Sequence, residues 1–191
     1  NRNKMCHKFS LIALIGILVV FSLVSAETNV KQCKDTTKPT PLMVDIKGCT
    51  QIPCDVYKGQ TTVVQVHFVS TKDNIHKLTA KCYATALGIT VPYELPDDVA
   101  DVCQNLLYEA MCPLYATEDV VYDFQFYVDQ YYPEIPATIE LNLVDKDNDV
   151  ITCFSASIRV RKGTATNNVN GLEAAEPFLF KNDIKKTFHL I

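Results

Sequence analysis

Seven cysteines follow an apolar N-terminal leader, and most segments between them alternate apolar and polar residues. They are Cys33, Cys49, Cys54, Cys82, Cys103, Cys112 and Cys153. Disulfides persist mainly in oxidising compartments, where they stabilise folds whose interiors need not be solidly packed. Because seven is odd, six cysteines can pair, and one is left buried, reactive or joined to another chain. The pattern predicts a secreted, disulfide-stabilised, β-rich protein.

The leader has the layout of a secretory signal peptide. Basic Lys8 precedes an apolar run over residues 9–24, and small residues at Ser25 and Ala26 suit a cleavage site after Ala26. A membrane anchor is the alternative, because the length of this run, 16 residues, approaches the roughly 20 apolar residues that a membrane-spanning helix needs. We favour the signal peptide because no stop-transfer charge cluster follows. Residues 1–26 are therefore predicted to be an extended start and a signal peptide.

The charge balance disfavours polyanionic partners. The chain has 18 basic and 22 acidic residues, and the leader holds three of the basic ones, which leaves 15 against 22 and a net charge of −7. An acidic chain without basic clusters is a poor ligand for nucleic acid or for anionic membrane surfaces. We expect no nucleic-acid partner.

Composition divides the rest of the chain into one domain and a tail. The domain is predicted at residues 27–163. Residues 164–171 are polar and turn-rich, so they bury too little apolar surface to offset the entropy of ordering. Residues 172–191 contain Phe178-Leu179-Phe180, and the alternative is a short amphipathic peptide that touches a membrane or partner. We favour a disordered tail over residues 164–191 and assign it no role.

Strand-like alternation runs through the domain. One face of each of four segments is apolar. These faces consist of Val64, Val66 and Phe68; Tyr122, Phe124, Phe126 and Val128; Ile139, Leu141 and Leu143; and Phe154, Ala156, Ile158 and Val160. Turn-forming residues separate these runs, and no segment keeps a helical period. The pattern predicts an all-β fold, an immunoglobulin-like antiparallel β-sandwich of two sheets.

A fifth strand, at residues 78–86, has an inward face of mostly small residues. That face consists of Leu78, Ala80, Cys82, Ala84 and Ala86. Small residues opposite large aromatic ones either complete a filled core or leave an apolar cavity between the sheets, which a ligand would fill. The pattern alone leaves both possibilities open.

The cysteine spacing then resembles that of a known family. Cys49-Thr-Gln-Ile-Pro-Cys54, followed by Asp-Val-Tyr-Lys-Gly59, is similar to the second and third cysteines of the ML lipid-recognition domain family, which includes sterol-transfer proteins and mite allergens. Further matching segments are residues 30–35, 91–96, 112–114 and 150–154. The resemblance extends over roughly residues 28–162 and implies a lipid-binding β-sandwich with an apolar cavity.

The resemblance also implies a disulfide pairing. It joins Cys33 with Cys153, Cys49 with Cys54, and Cys103 with Cys112. The spacing of the last pair is longer than is usual in the family. Cys82 has no partner in the family, and its inward parity predicts a buried free thiol; an intermolecular disulfide is the alternative.

The function implied by the resemblance is the carriage of a sterol or similar apolar lipid between the two sheets. The residues expected to line the ligand are Val66, Phe68, Tyr93, Tyr122, Phe124, Leu141 and Ile158. Tyr93 and Tyr122 are expected near the mouth, where a ring shields the ligand while its hydroxyl stays wet. We expect a monomer whose partners are the lipid and a membrane sterol-acceptor protein or receptor. The alternative function is a secreted innate-immune recognition protein that binds a microbial lipid and docks on a receptor.

Neither catalysis nor a cofactor is predicted. No nucleophile motif, phosphate loop or metal-spaced histidine pair is present in the sequence. Asp145, Asp147 and Asp149 alternate as in some calcium loops, but without the glycine and glutamate of the full loop we favour a solvated hairpin turn and predict no metal site. No Asn-x-Ser/Thr sequon occurs. We therefore expect an extracellular protein, with the endolysosomal lumen as the alternative location.

Overall fold

The structure is a computed structural model, and it describes residues 27–163. The predicted leader and tail, residues 1–26 and 164–191, lie outside the described residues. The described strands are β1 (Met43–Ile46), β2 (Cys54–Tyr57), β3 (Thr61–Val69), β4 (Leu78–Ala86), β5 (Ile89–Tyr93), β6 (Asp119–Tyr127), β7 (Pro136–Asp145) and β8 (Val150–Arg161). A one-turn helix, α1 (Asp97–Ala100), and a 3-10 helix (Val102–Gln104) follow β5. None of the helices in residues 27–163 is long and apolar enough to cross a membrane.

The strands form two sheets, which confirms the predicted fold class. The smaller sheet has the order β1-β3-β6, and the larger has the order β2-β8-β7-β4-β5. All pairs are antiparallel except β2 and β8, which are parallel with Cys54 opposite Ile158. The alternation of apolar and polar residues did not indicate the parallel pairing of β2 and β8, because a period of two is the same in parallel and antiparallel strands.

The inward faces of the two sheets meet in one hydrophobic cluster. On the smaller sheet Val66 lies opposite Tyr122, and on the larger sheet Leu141 lies opposite Phe154. All four residues belong to the same cluster of buried side chains. Residues directly opposite each other in antiparallel strands point to the same face, so this pairing directs each apolar row into the interior.

The N-terminal segment closes the side of the sandwich between β1 and β8. The Thr28 N–H donates to the Val44 carbonyl of β1 at 2.8 Å, and the Lys31 N–H donates to the Ser155 carbonyl of β8 at 2.8 Å. A disulfide between Cys33 and Cys153 anchors the same segment, with 5.9 Å between the two Cα atoms. Backbone hydrogen bonds and a covalent bond therefore join the sheets along this side.

The segment from α1 to Leu114 closes the opposite side, between β4 and β6. Asp101 forms a bridge with Thr79 of β4, and Leu106 forms a bridge with Tyr122 of β6. A disulfide between Cys103 and Cys112 ties the loop of this segment. The third disulfide joins Cys49 to Cys54, the first residue of β2.

One end of the sandwich, which we call the β7–β8 end, is closed by the connection between β3 and β4. In that connection, Ile75 exchanges two backbone hydrogen bonds with Leu114, of 2.9 and 3.1 Å. The ammonium of Lys72 contacts the Asp145 carboxylate at 2.7 Å and also the Asp149 carboxylate, which ties the connection to the β7–β8 turn. The predicted hairpin at residues 145–149 lies at this turn.

Candidate functional site

The opposite end of the sandwich holds the β4–β5 turn and the β6–β7 loop, and we call it the β4–β5 end. Part of it is closed by the backbone. The Lys58 N–H donates to the Arg161 carbonyl at 3.0 Å, and the Gly59 N–H donates to the Val128 carbonyl at 2.7 Å. A small apolar cluster of Val56, Val128 and Val160 packs under these bonds. This half of the end, beside β2 and β8, is therefore built from main-chain contacts.

The other half, between β5 and the β6–β7 loop, is covered by three aromatic side chains, Tyr93, Phe126 and Tyr132, which we call the aromatic closure. The rings of Tyr93 and Phe126 meet edge to face with 5.2 Å between centroids. The rings of Phe126 and Tyr132 are stacked, with 6.4 Å between centroids and 13° between planes. Aromatic pairs of this kind add about 0.5–1.5 kcal/mol each. The closing contacts here are side-chain contacts, which rotamer changes can open.

A hydrogen bond between two tyrosine hydroxyls completes the aromatic closure. The hydroxyl oxygens of Tyr93 and Tyr132 lie 2.6 Å apart. Tyr93 ends β5 in the larger sheet, whereas Tyr132 lies in the loop that leaves β6 of the smaller sheet. The bond therefore links elements of the two sheets across the half of the β4–β5 end that the backbone does not close.

The hydroxyls of the aromatic closure are held neutral. Burial raises the pKa of Tyr93 above its usual range. Burial, and then the hydrogen bond with Tyr93, raises the pKa of Tyr132. Desolvation disfavours the charged form of a phenol, so both groups remain hydrogen-bond donors at physiological pH.

The structure brings the seven predicted lining residues together. Val66, Phe68, Tyr122, Phe124 and Leu141 are buried in one cluster, and the partly buried Tyr93 and Ile158 pack against it. The inward side chains contact one another, so a ligand needs the sheets or side chains to move apart. Their role in lining a ligand stays a prediction.

Tyr122 differs from its expected place at the mouth. Its side chain is fully buried, at 0% exposure, and its hydroxyl donates to the Val99 carbonyl of α1 at 2.6 Å. The hydroxyl is therefore not wet, and the expectation for this residue is wrong. The physical reason is that α1 lies over β6, a packing that strand parity does not encode. Burial also raises the pKa of Tyr122.

Sequence reasoning did not select two members of the aromatic closure. Phe126 was recognised as part of an inward row but not as a site residue. Tyr132 lies in a stretch that reads as a turn because of Pro133 and Pro136. The available signal was the pair of adjacent tyrosines, Tyr131 and Tyr132, since two large aromatic residues are unusual in a purely solvated turn.

Cys82 lies in the interior behind the aromatic closure. It is a free cysteine, 4% exposed, and pairs in register with Tyr93 on one side and Leu141 on the other. Burial raises the pKa of the Cys82 thiol to about 12. The thiol is therefore protonated and behaves as a small apolar group.

One group of metal-type ligands occurs among the described residues. Cys33, Glu140 and Cys153 bring a carboxylate oxygen and two sulfur atoms within 4.8 Å of one another. The two sulfur atoms are bonded to each other in a disulfide, so neither is a thiolate. The group does not fit a metal ion.

Comparisons with known proteins agree with this architecture. The profile of the ML domain family matches residues 27–160. NPC intracellular cholesterol transporter 2 of Danio rerio is 29% identical over 121 residues, covering 62% of this chain and 76% of the relative. Mite group 2 allergen Lep d 2 of Lepidoglyphus destructor is 23% identical over 141 residues, covering 73% of this chain and 94% of the relative.

A solved structure has the same fold. The crystal structure of a Niemann-Pick type C2 protein from the Japanese carpenter ant superposes with a TM-score of 0.58 at 18% identity. The match covers 73% of this chain and all of that chain. It therefore agrees with the family profile on the architecture of the described domain.

Proposed function

Because this chain belongs to the ML domain family of lipid-binding proteins, we propose that it carries an apolar lipid, foremost a sterol, between its two sheets. The lipid is bound and released without chemical change. This proposal agrees with the name of the Danio rerio relative, an intracellular cholesterol transporter.

The observation that carries the proposal is the uneven closure of the sandwich. Along both sides and at the β7–β8 end, segments held by backbone hydrogen bonds or β-bridges connect the sheets, and the Cys33–Cys153 disulfide anchors one of these segments. Between β5 and the β6–β7 loop the cover is the aromatic closure of Tyr93, Phe126 and Tyr132. Breaking a few contacts between aromatic rings requires less free energy than breaking a ladder of β-sheet hydrogen bonds. We therefore propose that the ligand enters between β5 and the β6–β7 loop.

The interior behind the aromatic closure supplies the driving force. Its inward residues are apolar on both sheets, and β4 contributes the small side chains of Ala80 and Ala84. Transfer of apolar surface from water stabilises by about 25 cal/mol per Å². A rigid, mostly hydrocarbon ligand gains this energy, part of which offsets the cost of separating the inward side chains that pack against one another.

We further propose that the protein acts in the extracellular fluid, with the endolysosomal lumen as the alternative. The cysteine pattern supports an oxidising compartment, because six cysteines of the described chain form disulfides. A membrane sterol-acceptor protein or a receptor would take the lipid at the β4–β5 end.

Filling the space between the sheets at the β4–β5 end tests the proposal directly. Ala84 has the same strand parity as the buried Cys82 and therefore lies on the inward face of β4, whereas Thr85, the next residue, has the opposite parity and faces outward. We expect Ala84→Phe to weaken binding of a fluorescent sterol at least tenfold in a titration, because the ring occupies the ligand's place. The matched control, Thr85→Phe, adds the same ring outside and should leave the affinity within twofold. Equal affinities for the two variants would contradict binding between the sheets.

The natural ligand separates the two functions that the sequence left open. We expect mass spectrometry of lipid extracted from natively purified protein to find a sterol. A bacterial glycolipid would instead favour immune recognition. Protein that carries no lipid and binds no sterol in titration would contradict the carrier proposal.

A further inference from the structure

We propose that the paired hydroxyls of Tyr93 and Tyr132 recognise the polar end of the ligand, and that the turn carrying Tyr132 selects a neutral hydroxyl head over an anionic one. This inference rests on the proposed function, since it concerns the head of the same bound lipid. It adds Tyr132 and Asp129 as specificity-determining residues.

The hydroxyl pair has unused hydrogen-bonding capacity. A phenol has one donor and two acceptor lone pairs. The contact of 2.6 Å between the Tyr93 and Tyr132 oxygens consumes one donor and one lone pair. One donor and several lone pairs remain, so a ligand hydroxyl can donate to one tyrosine and accept from the other. The two residues are only partly buried, which leaves the pair accessible from the β4–β5 end.

An acidic group lies in the same turn as Tyr132. The Asp129 carboxylate accepts a hydrogen bond from the Tyr131 N–H at 2.9 Å, and the Asp129 carbonyl accepts one from the Tyr132 N–H at 3.3 Å. Burial is the main cause of the raised pKa of both tyrosines, and the negative charge of Asp129 is a smaller one. The same charge repels a sulfate, phosphate or carboxylate that approaches the hydroxyl pair.

At the β4–β5 end, Lys58, Arg159 and Arg161 are already paired with carboxylates, whereas Lys162 of the same end is exposed. The Lys58 ammonium contacts Glu134 at 3.1 Å. Arg159 and Arg161 both contact Asp55, at 2.7 and 3.1 Å. An anionic head that reached Lys58, Arg159 or Arg161 would have to compete with these carboxylates, whereas a neutral hydroxyl needs only the tyrosines. The arrangement therefore favours an uncharged hydroxylated lipid.

Competition titrations with three ligands of one hydrocarbon skeleton test the inference. A bound fluorescent sterol is displaced by cholesterol, by cholesterol sulfate or by cholestane, which has no oxygen. We expect cholesterol to bind about three- to tenfold more tightly than cholestane, the range expected for one net hydrogen bond. Cholesterol sulfate should bind more weakly than cholesterol.

Two conservative variants test whether Tyr132 recognises the hydroxyl head and whether Asp129 disfavours the anionic head. Tyr132→Phe removes only the hydroxyl and should abolish the preference for cholesterol over cholestane, measured as the ratio of the two affinities. Asp129→Asn keeps an oxygen for the Tyr131 N–H but removes the charge. It should improve cholesterol sulfate binding about two- to fivefold and leave cholesterol unaffected, as expected for one exposed charge. Tyr131→Phe, at a neighbouring residue that is 94% exposed, is the matched control and should change nothing.

The outcomes distinguish failure of this inference from failure of the proposed function. If all three ligands bind equally to wild type and to Tyr132→Phe, the hydroxyl pair does not recognise the polar end of the ligand, but the proposal that the protein carries a lipid is not contradicted. If cholesterol sulfate binds best, the charge argument is wrong. If none of the three displaces the fluorescent sterol, or the fluorescent sterol itself does not bind, the proposed function fails. A circular-dichroism spectrum of Tyr132→Phe that matches that of wild type shows that the variant is folded.

Discussion

At the scale of single residues, Thr152 is the buried polar group of the described chain whose hydroxyl has no hydrogen-bond partner. It is 1% exposed and lies opposite Leu143, so it faces the interior. We predict that Thr152→Val raises the free energy of unfolding by about 1 kcal/mol, because it removes an unsatisfied polar group at nearly constant volume. Urea denaturation monitored by circular dichroism measures the change.

Thr28 provides the matched control for Thr152. Its hydroxyl accepts a hydrogen bond from the Ile46 N–H at 2.9 Å, and the residue is buried. Thr28→Val should therefore lower the free energy of unfolding by about 1 kcal/mol. A loss of stability in both variants would mean that the Thr152 hydroxyl has a partner in solution, such as a buried water.

The Cys82 thiol gives a second prediction at this scale. Its pKa is raised from 9.0 to about 12 by burial. The unfolded state loses this proton near pH 9, whereas the folded state keeps it, so stability from this group is present below pH 9 and is lost as the pH rises toward 12. We expect the urea midpoint to fall less between pH 8.5 and 10.5 in Cys82→Ala than in wild type. An identical fall in both proteins would contradict a buried thiol.

At the scale of elements, the β4–β5 hairpin contains an unfavourable turn residue. Leu87 and Gly88 connect the strands with φ values of 52° and 81°. Two positive φ values correspond to a type I′ turn, which prefers asparagine before glycine. We predict that Leu87→Asn raises the free energy of unfolding by about 1 kcal/mol, because leucine pays a steric penalty at positive φ. Thermal denaturation tests this.

Ile89 is the control for the hairpin prediction. It is also exposed, at 53%, but begins β5 with extended backbone. Asparagine is disfavoured in strands, so Ile89→Asn should not stabilise the protein. Equal stabilisation by both variants would attribute the effect to removal of exposed apolar surface rather than to the turn.

At the scale of the whole molecule, the disulfides contribute unequally. Cys33–Cys153 spans 120 residues, whereas Cys49–Cys54 spans five. The chain-entropy model assigns about 5 kcal/mol to the long loop and about 2 kcal/mol to the short one. We predict that replacing Cys33 and Cys153 by alanine lowers the unfolding midpoint far more than replacing Cys49 and Cys54. Similar losses from both pairs would show that local packing, rather than loop closure, dominates.

Much of the fold was readable from local pattern. Residues 78–86 were assigned to one strand with Cys82 inward, and β4 has those bounds and that orientation. Inward rows on β3, β6, β7 and β8 were likewise identified, because alternation is a property of neighbouring residues on a pleated backbone. The parallel pairing of β2 with β8 was not, since direction depends on how the chain crosses between sheets.

Alternation and cysteine spacing were enough to predict the β-rich class, the inward rows and, through family resemblance, the set of half-cystines. Which half of the β4–β5 end is closed by side chains depends on the packing of the two sheets. Tyr93 and Tyr132 are 39 residues apart in the sequence. Tyr93 is the last residue of β5 in the larger sheet, and Tyr132 lies in the loop after β6 of the smaller sheet. Tyr132 is in a turn without periodicity, and Tyr122 is covered by a helix that no pattern indicated. Alternation reports which face a residue occupies, whereas contact between two such residues depends on how the sheets pack and how the loops cross them.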